Sequence, residues 1–382
     1  MTPDIRPGIG GLLDILPGVL TTVAGPAAGF EDRLGLADDL AGIRRVAVLL
    51  VDGFGYQLMP AAAAVGPTLD DISQGRLGSA RPLHCGFPST TPVSLVGIGT
   101  GRPPGAHGIV GFAARVPETG RVLNHIRWGD DPSAAVYQPV PTVFERAAAA
   151  GVNTVVVSKP EFEGSGLTRS AYRGSEFRGA TDRYALISTV VGALNDSVPL
   201  VYGYHADLDH FGHGYGVGSP EWLDAARGVD QLITMMAAMM PRDAALIITA
   251  DHGQINIAED RKIDMDTDDD LGAGLEAVAG EARVRFLYTR PGAAGDVLAA
   301  WRSILGPAAY VTTRDEAIAA GWWGPVTREH AARIGDVVAV CTGDAAIVRS
   351  KSEPGEAALI GYHGSVTAVE AEVPLIIIRG DE

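Results

Sequence analysis

Two apolar runs that stop at acidic residues constrain this chain more than any other feature. Arg45-Val-Ala-Val-Leu-Leu-Val-Asp-Gly53 and Ala244-Ala-Leu-Ile-Ile-Thr-Ala-Asp-His-Gly253 are continuously apolar before their polar ends. A strand apolar on both faces must be covered on both faces, which points to a parallel sheet between helical layers. Further strands are predicted at Gly151–Ser158, Val198–Tyr204 and Val373–Arg379, with helices at Thr142–Ala150, Asp182–Leu194 and Trp222–Met239. Such alternation builds βαβ units with right-handed crossovers. The expected fold is therefore α/β, with a mostly parallel central sheet and helices on both faces. After Gly253 the character shifts. Asp260–Asp270 is acid-rich and is expected to be a surface loop; strands follow at Arg283–Thr289, Ala309–Thr313 and Asp336–Cys341, with a helix at Ala294–Leu305. Residues 254–349 are thus expected to form an inserted α+β subdomain, in a core made of 1–253 and 350–382.

In open α/β sheets, ligands gather at the carboxyl ends of the strands. Four polar clusters fall at such ends or just before the final strand: Asp52, Asp209 with His213, Asp251 with His252, and His363. The segment His205–His213 that carries Asp209 reads as a polar loop. Each cluster alone has a plain structural reading, as a turn, a surface pair or a core histidine. Together, three carboxylates and three imidazoles suit two divalent cations with nitrogen and oxygen ligands. Two such cations can clamp the attacking and leaving oxygens of a displacement at phosphorus.

The segment Gly86-Phe-Pro-Ser-Thr-Thr-Pro-Val-Ser-Leu-Val-Gly-Ile-Gly-Thr-Gly101 reads as a tight loop entering a short buried helix, with Thr91 at the N-cap and Pro92 at the first helical position. The dipole and open N–H groups of that helix end attract an anion. A hydroxyl there is placed to attack it.

Charge and cysteine content narrow the partners. A formal net charge of −16 argues against a nucleic-acid polymer or an anionic membrane. Cys85 and Cys341 form no CxxC pair and are expected to be buried free thiols. Leu12–Val23 is broken by Asp14 and Pro17 and is expected to be a short amphipathic helix rather than a signal peptide. No run approaches the ~20 apolar residues that span a bilayer. The cytoplasm is the expected location.

The order Asp52, Thr91-Pro92, Asp209-x-x-x-His213, Asp251-His252-Gly253, His363-Gly364 resembles the alkaline phosphatase superfamily. Its nucleotide pyrophosphatase/phosphodiesterase branch is the most similar, through Phe87-Pro-Ser-Thr-Thr91, Thr100-Gly101 and His107-Gly-Ile109. The resemblance implies one cation on Asp209, His213 and His363. It implies a second on Asp52, Asp251, His252 and the Thr91 oxygen. The cations implied are zinc, with manganese the alternative. Thr91 would be the nucleophile and form a phospho-threonine, with Thr90 as the neighbouring alternative. The branch places an Asn where this chain has Phe112; Asn124 is the candidate to supply that amide to a phosphoryl oxygen. The implied substrate is a small phosphate ester or nucleotide, and the implied activity phosphodiester hydrolysis. A phosphomonoesterase on the same machinery, a phosphosugar mutase and a non-catalytic binding protein are the alternatives. His107 is expected to lock its own loop.

Overall fold

The apolar runs pair as neighbours in a seven-stranded sheet in the computed structural model, which describes residues 3–25 and 29–380. From one edge the order is Ser79–His84, Glu372–Arg379, Ala244–Thr249, Arg45–Val51, Leu200–His205, Thr154–Ser158, Glu176–Gly179. The five strands from Ala244–Thr249 onward are mutually parallel. Glu372–Arg379 runs antiparallel to both its neighbours. Helices pack on the sheet, and one large hydrophobic core joins them to it. The α/β class and the largely parallel sheet stand as expected.

Two edge strands escape sequence reading for physical reasons. Ser79–His84 is mostly solvent-facing and contains Pro82, and Glu176–Gly179 is largely polar. Edge strands need no double-sided apolar pattern, and proline is tolerated there. The expected loop at His205–His213 is corrected: Asp207–Tyr215 is a helix. The segment Leu12–Val23 is indeed helical, as a 3-10 turn followed by Ile15–Val23. It is not a surface amphipath, because Ile15 through Leu20 are all buried. Within the expected loop Asp260–Asp270, Lys262–Asp264 is a short strand paired with Ala346–Val348, and Asp269–Gly272 is a helical turn. Both cysteines are buried and free. No helix among the described residues is long and apolar enough to cross a membrane.

A second sheet of four antiparallel strands has the order Leu275–Glu281, Val284–Thr289, Val337–Cys341, Ala309–Thr313. It has its own cores on its two faces. Two of the contacts that tie it to the loops of the main sheet stand out for their burial. Phe87, from the loop before the Thr91 helix, packs against both Trp322 and Trp323 at ring distances of 5.6 and 5.5 Å. Arg283 and Glu370 form a fully buried pair with two parallel bonds, Nε to Oε1 at 2.8 Å and Nη2 to Oε2 at 2.7 Å. Removing one partner of such a pair strands the other charge in a low-dielectric interior. Glu370→Ala is therefore expected to cost about 3–5 kcal/mol, read as a lowered denaturant midpoint. A loss under about 1 kcal/mol would show that water reaches Arg283 in the folded state.

Candidate active site

The carboxyl ends of Arg45–Val51, Leu200–His205 and Ala244–Thr249 lie side by side, so residues just past them converge. Asp52, Asp251 and His252 form one group and Asp209, His213 and His363 another; within each, the potential ligand atoms all lie within 4.8 Å of one another. In the first group, His252 Nε2 lies 3.5 Å from Asp52 Oδ1 and 3.4 Å from Asp251 Oδ2. In the second, His213 Nε2 lies 3.3 Å from Asp209 Oδ2. The helix Asp207–Tyr215 explains that contact, since positions i and i+4 share a helix face. The groups abut: the His252 and His363 rings stack at 3.6 Å.

Each imidazole is fixed by its other nitrogen. Nδ1 of His213 meets Gly361 O at 2.8 Å, Nδ1 of His252 meets Gly253 O at 3.0 Å, and Nδ1 of His363 meets Ser89 O at 3.0 Å. A carbonyl can only accept, so each Nδ1 carries a proton, and the lone pair of the neutral ring is at Nε2. The carboxylates are held in the same one-sided way. Asp52 Oδ2 accepts the Tyr204 hydroxyl, Asp251 Oδ1 accepts the N–H of Gly53 at 3.1 Å, and Asp209 Oδ1 accepts Gln254 Nε2 at 2.8 Å. Asp52 Oδ1 and Asp251 Oδ2 are buried with no hydrogen-bond partner.

The electrostatics follow from crowding. Burial, then the charges of Asp251 and Asp209, push the Asp52 carboxyl well above the usual range. Burial, then Asp52, does the same to the Tyr204 phenol, keeping it a donor. Burial would lower His213, but Asp209 beside it outweighs burial and raises it to about 8. Burial would likewise raise Asp209, and His213 reverses that, leaving it well below the usual carboxylate range. Burial, then His252 and His213, pushes His363 well below an ordinary imidazole.

The Thr91 helix spans Thr91–Thr100, with Thr90 as its extended N-cap residue. The cap is thus one residue earlier than expected, with Thr91 first in the helix and Pro92 second. The shift separates the two hydroxyls. Thr91 Oγ1 lies 3.1 Å from His252 Nε2 and borders a cavity, whereas Thr90 is fully buried and its Oγ1 makes no hydrogen bond. Ser89 then stitches this loop to the His363 loop. Its N–H donates to Gly364 O at 3.1 Å, and its Oγ donates to Ser365 O at 2.6 Å and accepts the Gly364 N–H at 3.2 Å.

Two cavities flank the cluster. One, of about 300 Å³, is lined by Thr91, Leu95, Ile126, Phe162, Tyr172 and Tyr204 among others. The other, of about 590 Å³, is lined by Phe112, Asn124, Ile126, His213, Glu281 and His363 among others. Phe112 and Asn124 are therefore beside the site. Asn124 Oδ1 accepts the N–H groups of Ile126 and Arg127 at 3.0 and 3.2 Å, shaping the tip that separates the cavities. His107 Nδ1 accepts the Ile109 N–H at 3.2 Å and stays in its own loop. Sequence reading passed over Tyr204, Gln254, Ser89 and Glu281. Ser89 and Gln254 adjoin segments it had selected, which is the signal that could have found them, and Tyr204 closes the strand expected ahead of Asp209. Glu281, on another sheet, carries none.

The comparisons place the fold among known structures. Murine ectonucleotide pyrophosphatase/phosphodiesterase 5 superimposes with a TM-score of 0.70 at 19% identity, covering 87% of each chain. An inactive threonine-to-alanine variant of that protein has been solved with AMP. Phosphonoacetate hydrolase from Sinorhizobium meliloti 1021 gives 0.67 at 21% identity, covering 88% of this chain and 90% of the other. In sequence, human ectonucleotide pyrophosphatase/phosphodiesterase family member 7 is 28% identical over 139 residues; that match spans 34% of this chain and only 30% of the relative. The family model described as type I phosphodiesterase / nucleotide pyrophosphatase matches residues 46–366, from the first strand of the sheet to just past His363. The chain belongs to that family.

Proposed function

We propose that the protein hydrolyses phosphoric diesters on two divalent cations, through Thr91. The donor set supports the cations. Asp52 Oδ1 and Asp251 Oδ2 are buried, bare and turned to a histidine Nε2, an arrangement that is costly without a positive charge. Asp52, Asp251, His252 and the Thr91 oxygen would hold one cation; Asp209, His213 and His363 would hold the other. Nitrogen and oxygen donors without thiolate suit zinc, with manganese the alternative. When bound, the cations stabilise the negative charge that builds on the transferring phosphoryl group.

The chain's own residues do the rest. The helix that begins at Thr91 aims its free N–H groups toward the same charge. Thr91 Oγ1 bonds to phosphorus as the bond to one ester oxygen breaks. The threonine proton leaves, and the departing oxygen takes one up. Water then cleaves the phospho-threonine, restoring the hydroxyl and releasing a monoester. Tyr204 and Gln254 hold Asp52 and Asp209 by one oxygen each, so the other oxygen keeps its direction. Asn124, with Oδ1 engaged, would offer its amide hydrogens to a phosphoryl oxygen beside Phe112.

One observation favours diesters over monoesters: a cavity on each side of the Thr91 and His363 cluster, parted by Ile126. A diester fills both, a monoester one. Phe162, Tyr172 and Tyr204 give the smaller cavity flat apolar walls suited to a base or aryl group. With the AMP bound to the murine relative, this favours nucleotides. The test compares a diester and a monoester with the same chromogenic leaving group. The diester is expected to win by about tenfold or more in kcat/KM, at least ~1.4 kcal/mol of transition-state binding. A monoester preference would move the substrate class and leave the Thr91 chemistry standing.

A further inference from the structure

Glu281 is the buried carboxyl nearest the cluster that the chemistry above does not use. It ends the strand Leu275–Glu281 of the second sheet, is 5% exposed, and lines the larger cavity with His213 and His363. Its Oε2 lies 3.5 Å from His363 Nδ1, on the side of the ring away from the Nε2 lone pair. The same Nδ1 donates to Ser89 O at 3.0 Å. The His363 loop is shaped around this carboxyl. Gly364 has φ +124°, and a Cβ there would fall 2.6 Å from Glu281 Cδ. A side chain at that position would meet both a left-handed backbone and the carboxyl. A carboxylate behind a metal-ligating imidazole fixes ring orientation and raises ligand basicity.

We propose that Glu281 is a positioning residue for His363, its carboxyl braced against the Nδ1 side of the ring beside the Ser89 O that takes the N–H. Residues 254–349, read as an insertion, thereby complete the group Asp209, His213 and His363 from a second sheet. The role depends on the two-cation site proposed above. It accounts for two facts that a core-packing role does not: a carboxyl rather than an apolar residue at a buried strand end, 3.5 Å from the imidazole Nδ1, and a glycine that makes room for it.

The test is metal affinity. Purified protein is titrated with zinc against a chromophoric chelator, and retained metal is counted by elemental analysis. Glu281→Ala is expected to weaken one of two cations about 10–100-fold, the size typical of outer-shell partners, and to leave the other at parental affinity. Glu281→Gln keeps the shape and one acceptor oxygen, so it is expected to fall between parent and alanine variant. Excess zinc is expected to restore turnover to both variants, which a misfolded protein would not allow. Parental affinity for both cations in both variants would overturn the role. If the alanine variant does not fold, the glutamine variant decides alone. A parent that binds fewer than two cations would instead overturn the two-cation reading, and with it the role of Glu281.

Discussion

Thr91→Ala is expected to lower kcat by roughly 10⁴-fold or more, the scale seen when the nucleophile of a catalytic unit is removed. Thr91 Oγ1 is the hydroxyl that reaches both His252 and the cavity. The change removes one hydroxyl and one methyl group at the first helical position, where alanine is a good helix former. Fold and metal content should therefore survive, and circular dichroism with elemental analysis checks both. Thr90→Ala makes the contrast. Its hydroxyl is fully buried and makes no hydrogen bond, so turnover should fall far less. Acid-quenched parent enzyme, examined by mass spectrometry, should carry any trapped phosphoryl group on Thr91. A Thr91→Ala protein that cleaves a chromogenic diester at the parental rate would sink the mechanism.

His363→Ala should have the second-largest effect. It takes one of three ligands from the group completed by Asp209 and His213. That loss should exceed the roughly 10–100-fold drop in affinity typical of an outer-shell partner. The protein should retain about one cation in place of two, with a matching collapse in turnover. The change also deletes the ring stacked at 3.6 Å on His252, so some weakening of the remaining cation is expected. Two cations bound at parental affinity would refute His363 as a ligand.

Much of this was legible in sequence because the site is written at strand ends. Asp52 and Asp251 each follow a run of apolar residues, and such runs in an α/β chain can only be central strands. Their carboxyl ends must lie together once the strands are neighbours. What was lost depended on tertiary context. Asp207–Tyr215 carries Asp, His and Gly, residues of weak helix propensity, yet it is a helix. The cap at Thr90 rather than Thr91 turns on a single residue's φ and ψ, below what composition resolves. Ser79–His84 and Glu176–Gly179 are edge strands without a two-sided apolar signature. Glu281 comes from a separate sheet, and only folding brings it behind His363.

The placement of Glu372–Arg379 has a consequence for timing. This strand lies between Ser79–His84 and Ala244–Thr249, two segments made long before it during synthesis. Until it arrives, both hold open hydrogen-bonding edges. The loop just ahead of it carries His363, and Glu370 in the same stretch closes on Arg283. A nascent chain can therefore form its first strands, its Thr91 helix and every proposed ligand but His363 while lacking a competent centre. Hydrolytic power would switch on in one late event, when the final strand slots into the gap. The long sequence separation of those contacts raises the loop-closure cost of that step.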